Sequence, residues 1–93
     1  METLSIKDVH DRLQELQGWE MTSHTEISKE FGFKDFREAL DFAQKVGEEA
    51  SRQHHYPDML IRNNKVLLTL TTHENGGLTY MDFKMAKIIE QLV

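Results

Sequence analysis

His54-His55-Tyr56-Pro57-Asp58-Met59-Leu60-Ile61-Arg62-Asn63-Asn64-Lys65-Val66-Leu67-Leu68-Thr69-Leu70-Thr71-Thr72-His73 holds two β-type runs, Met59 to Ile61 and Lys65 to Thr72, on either side of an Asn-Asn pair. Two such runs around a polar two-residue turn form an antiparallel hairpin. A hairpin reverses the chain, so the segment entering through His54, His55 and Tyr56 returns beside Thr71, Thr72 and His73. In the second run Val66, Leu68 and Leu70 share one face, and Leu67, Thr69 and Thr71 share the other. A strand this apolar on both faces belongs at the centre of a sheet or at a subunit interface. No other stretch gathers so many titratable groups where a site could form.

Upstream, Asp35 is suited to cap a long helix in which Phe36, Leu40, Ala43, Val46, Gly47 and Ala50 form an apolar stripe. Arg37, Asp41, Lys45, Glu48 and Arg52 then face water. Pro57 pushes the residue before it out of the α region, so this helix ends ahead of it. His54 and His55 therefore fall at its carboxyl end, where the partial negative charge favours a cation. Imidazole is the side chain whose ordinary titration lies nearest neutral pH, which suits proton transfer.

Earlier in the chain, Trp19 to Thr22 and Ile27 to Phe33 read as a first hairpin around Ser23-His24-Thr25. Ile27, Phe31 and Phe33 share a face there, although Lys29 interrupts the alternation. Ser5 and Asp8 mark the start of a first helix, with Ile6, Val9, Leu13 and Leu16 at helical spacing and Gly18 as its stop. Downstream, Gly76-Gly77 makes a turn, and Thr79 and Asp82 form a capping box that opens a last helix lined by Phe83, Ala86, Ile89 and Val93. The order α-β-β-α-β-β-α describes an α+β fold, a four-stranded antiparallel sheet with three helices packed on one face, as a single domain over residues 1–93.

Composition narrows the function. A net charge of -5 disfavours a nucleic-acid binder that relies on phosphate contacts. With no cysteine, neither a disulfide framework nor a thiolate zinc site is available. The first residues lack the basic-then-apolar order of a signal peptide, and no apolar run approaches the roughly 20 residues that span a bilayer. The expectation is a soluble, cytoplasmic protein.

The ordered set His55-Tyr56-Pro57, Asn64-Lys65-Val66, Thr72-His73-Glu74, Gly77-Leu78-Thr79 and Asp82 resembles the signature of the pterin-4a-carbinolamine dehydratases, also known as the dimerisation cofactor of a homeodomain transcription factor. Gly18-Trp19 and Phe33-Lys34-Asp35-Phe36 are also similar to family sequences, so the resemblance covers most of the chain. Two positions depart from the pattern: the family's second histidine is Tyr56, and the aromatic residue usual in the hairpin is Asn63.

The resemblance implies a hydro-lyase that removes water from a 4a-hydroxytetrahydropterin to give the quinonoid dihydropterin, recycling the tetrahydrobiopterin oxidised by aromatic amino acid hydroxylases. It implies His55 and His73 as the proton-transfer pair and Tyr56 as a further catalytic hydrogen-bond donor. His54, His55, Tyr56, Thr71, Thr72, His73 and Glu74 would line the pterin. It implies no metal, no cofactor, no direct contact with nucleic acid or membrane, and a homodimer or homotetramer. The residues also allow plainer readings: a solvated helix end at His54 and His55, Tyr56 packed beneath it, and Trp19 as core. His10 and His24 read as surface residues, and three imidazoles suit zinc as well as proton transfer. A non-catalytic interaction module on the same fold, serving a transcription factor or an assembly client, is the competing function.

Overall fold

The computed structural model describes residues 2–93. The elements run α1 (Ile6–Leu13), β1 (Glu20–Ser23), β2 (Glu26–Gly32), α2 (Phe36–Gln53), β3 (Asp58–Arg62), β4 (Lys65–Leu70), a 3-10 turn (His73–Asn75) and α3 (Tyr80–Glu90). Four antiparallel strands form one sheet in the order β1-β2-β4-β3, with the helices on one face. The doubly apolar strand β4 is thus central, as its composition implies. Asp58 stands opposite Thr69 and Arg62 opposite Lys65, so the β3–β4 hairpin closes on Asn63-Asn64, with Asn63 at a φ of 56°.

The helix-facing side of the sheet carries Ile27, Phe31, Val66, Leu68 and Leu70, all buried. Against them pack Ala39, Phe42, Val46 and Ala50 of α2, Phe83, Met85, Ala86 and Ile89 of α3, and Val9 of α1. Fully burying one such aliphatic or aromatic side chain is worth about 1.5–3 kcal/mol, so this layer is the main support of the fold. Trp19 belongs to the same core, and its indole N–H donates to Glu90 Oε2 at 3.0 Å. Lys29, which breaks the alternation of β2, reaches the same carboxylate oxygen at 2.8 Å.

The stripe expected on α2 needs correction. Ala43, Val46 and Ala50 are buried as expected, but Phe36 and Leu40 are exposed, at 51% and 39%, and Ala39 and Phe42 complete the buried stripe in their place. The reason is aromatic packing: Phe42 sits 4.9 Å from the ring centroids of both Phe31 and Phe33, and that rotation of the helix turns Phe36 and Leu40 outward. Two further expectations shift at element ends. Val93 lies beyond α3 and is exposed. Thr71 and Thr72 follow β4, and Thr72 is held by an isolated bridge to Gly77.

Candidate active site

The site is built where three elements end on one another. Helix α2 terminates at His54, which takes the left-handed conformation (φ 53°, ψ 38°). The His55 amide returns to the Ala50 carbonyl at 3.2 Å, the bond that closes a left-handed helix terminus. This reversal takes the chain sharply off the helix axis, and Pro57 then leads directly into β3. His55 is left at the corner, only 7% exposed.

Beneath it lies the amino end of α3. Thr79 caps that helix and Asp82 completes the capping box, accepting the Thr79 amide on Oδ2 at 2.9 Å. Asp82 is 0% exposed. A buried carboxylate is tolerable only when donors surround it, and here they do: besides the Thr79 amide, Oδ2 accepts the Thr72 hydroxyl at 2.8 Å, while Oδ1 faces His55 Nε2 at 2.6 Å. The positive end of the α3 dipole adds to the stabilisation of the charge.

The donors fix the proton positions. An ionised carboxylate only accepts, so His55 Nε2 carries the hydrogen in this pair, and in the neutral ring Nδ1 carries the lone pair. Among the described residues no buried side-chain nitrogen or oxygen lacks a partner. The ring's bond to protein is made through Nε2, so Nδ1 is the atom by which it meets the surface. An imidazole held this way presents a basic nitrogen outward with a carboxylate behind it, an arrangement that can take up a proton and stabilise the resulting cation.

The hairpin brings the other expected site residues to the same end of the molecule, because residues 54–56 precede β3 as residues 71–74 follow its partner β4. His54, Tyr56, His73 and Glu74 are exposed, Tyr56 at 61%. Thr71 is buried. Thr72 is spent internally: its amide donates to Gly77, its carbonyl accepts from Asn75 and Gly77, and its hydroxyl donates to Asp82. Asp82 adjoins the candidate site, although the sequence reading placed it only in the capping box and the family signature. Its signal was present in the capping box, but a link to a histidine 27 residues away is visible only in three dimensions. His10 and His24 are exposed and lie together along a surface depression with Ile6 and Met21, apart from this corner. No group of three or more His, Asp or Glu converges as metal ligands among the described residues, and no helix there is long and apolar enough to cross a membrane.

A model of the family described as pterin 4 alpha carbinolamine dehydratase matches residues 2–92. The chain belongs to this family. A protein of Sulfurisphaera tokodaii, provisionally named a pterin-4-alpha-carbinolamine dehydratase, is 40% identical over 93 residues, covering 100% of this chain and 99% of its own. One from Acidobacterium capsulatum with the same provisional name is 42% identical and covers 100% of both chains. Among solved structures, the transcriptional coactivator/pterin dehydratase from Brucella melitensis superposes with a TM-score of 0.92 at 30% identity, over 98% of each chain. These matches run over nearly the whole of the chain.

Proposed function

We propose that the protein is a 4a-hydroxytetrahydropterin dehydratase in which His55 is the general base and His73 the general acid. The observation that carries this reading is the buried His55–Asp82 pair at 2.6 Å, which in the neutral ring leaves Nδ1 as the nitrogen free to take up a proton. Dehydration needs one proton removed from the ring nitrogen beside the carbinol carbon and one delivered to the departing hydroxyl. The nitrogen's electron pair then forms the carbon–nitrogen double bond as the carbon–oxygen bond breaks, and water and the quinonoid dihydropterin are the products. His55 takes the first proton. His73, exposed on the 3-10 turn immediately after Thr72, supplies the second. Such acid–base help is worth about a hundredfold to ten-thousandfold.

Tyr56, whose phenol has an ordinary pKa of about 10, serves as a hydrogen-bond donor to the substrate. His54, Thr71 and Glu74 orient the pterin's polar edge. The decisive experiment follows quinonoid formation from a synthetic 4a-hydroxytetrahydropterin. The wild type should turn over, and His73→Ala should lose about a hundredfold in kcat while remaining folded, because His73 is exposed. A folded, inactive wild type would overturn the enzyme reading in favour of an interaction module. One observation favours that second role: Phe36 and Leu40 of α2 stand exposed, and Leu40 borders a groove with Ala43, Gly47 and Met59.

Self-association completes the proposal. β3 pairs only with β4 and forms a sheet edge carrying exposed Met59 and Leu60. A free apolar edge is a template for another strand. Paired antiparallel about Leu60, β3 of a second copy sets Asp58 against Arg62 and Met59 against Ile61, so charges and apolar groups match in one register. The hairpin turn of that copy then lies beside Tyr56 and Pro57.

A further inference from the structure

Thr72 follows β4 at the end that carries the site, yet every polar atom it has is engaged within the protein. Its hydroxyl lies 2.8 Å from Asp82 Oδ2 and 2.8 Å from the Thr79 hydroxyl, and all three residues are buried, Thr72 at 3% and the other two at 0%. The direction of this chain is forced. Asp82, as a carboxylate, has no proton to give, so Thr72 donates to it. That spends the only proton of Thr72, so Thr79 donates to Thr72. The Thr79 oxygen in turn accepts the Met81 amide of the capped helix at 3.3 Å.

We propose that Thr72 is a positioning residue for His55, acting through Asp82. With the Thr72 hydroxyl and the Thr79 amide both on Oδ2, that oxygen is fully occupied, the carboxylate cannot rotate, and Oδ1 is held in place to accept the His55 Nε2 proton. Without the hydroxyl, Oδ2 has one donor fewer, the carboxylate is free to turn, and the pairing that keeps the proton on Nε2 loosens. Thr72 therefore sets which nitrogen of His55 is basic. It does so without touching the substrate, so its removal acts on kcat and leaves KM unchanged.

The kinetic consequence rests on the dehydratase reading, whereas the protonation of the His55 ring does not, so the test has both arms. Nitrogen-15 NMR of histidine-labelled wild type should show His55 protonated on Nε2 and unprotonated on Nδ1. Thr72→Val, which keeps the shape and removes the hydroxyl, should show averaged ring-nitrogen shifts of two exchanging tautomers. Its kcat should fall about tenfold, the loss expected for one hydrogen bond to a charged group, with KM within twofold. Thr72→Ser should restore both wild-type patterns. If Thr72→Val does not fold, Thr72→Cys, a weak donor of similar size, carries the same comparison. Unchanged His55 shifts in the hydroxyl-free variant overturn the inference, whatever the activity. Altered shifts with an inactive wild type would uphold the positioning role and refute only the reaction assigned to the site.

Discussion

Replacing Asp82 by asparagine separates the chemistry of the corner from its stability. The two side chains have the same shape, but the amide has one oxygen and one N–H2 group. Oδ2 of Asp82 faces the Thr79 backbone N–H, a donor that cannot rotate, at 2.9 Å. The asparagine oxygen must therefore occupy that position, where it can also keep the Thr72 hydroxyl. The amide nitrogen is then directed at His55. A donor facing Nε2 forces that nitrogen to accept, which moves the ring proton to Nδ1 and removes the outward-facing base. Rate should fall by about a hundredfold to ten-thousandfold, the range that general base catalysis supplies. Stability should change far less. Hydrogen bonds to a charge, about 1.5–3 kcal/mol each, are exchanged for neutral ones of about 0.5–1.5 kcal/mol, while the penalty for burying a charge disappears. A net change near 1 kcal/mol corresponds to roughly 4–8 °C in the melting temperature of a domain this size. Kinetics with synthetic 4a-hydroxytetrahydropterin, read beside thermal unfolding, measure both quantities. An Asp82→Asn protein within twofold of wild-type kcat would refute the argument, as would a loss of rate that merely tracks unfolding.

Two other expectations follow from particular residues. His54 holds a left-handed conformation at the end of α2, so His54→Gly should stabilise the fold by about 0.5–1 kcal/mol, read as a rise in urea midpoint with unchanged slope; a fall would show that the imidazole itself supports the fold. Leu60→Glu sets two like charges at the centre of the edge pairing about β3, so sedimentation should show a lighter species than wild type with the same circular dichroism; an unchanged oligomer would exclude this edge as the interface.

Much of this architecture was legible because local chemistry and tertiary need agree. The doubly apolar run from Lys65 was readable as a central strand, and Ser5, Asp35 and Thr79 cap the helices they announce. One edge of the α2 stripe was misread because two apolar pairs, Phe36-Leu40 and Ala39-Phe42, flank the correctly read line of Ala43, Val46 and Ala50 at helical spacing. Only the position of Phe31 and Phe33 on the far side of the core selects the second. At the site, the hairpin was sufficient to group residues 54–56 with residues 71–74. It could not show that His54 would turn left-handed, a choice made by the need to reverse the chain before Pro57. Nor could it show that Thr72 looks inward. Its hydroxyl is claimed by Asp82, whose place depends on how α3 docks against the end of β4.

The position of a bound pterin tests the roles of His55 and His73 most directly. A crystal structure with a dihydropterin analogue should place a ring nitrogen within about 3.2 Å of His55 Nδ1, with a His73 nitrogen in comparable reach of the carbinol position. An analogue bound with both imidazoles out of hydrogen-bond range, or one facing the Nε2 side of His55, would contradict the assignment of base and acid.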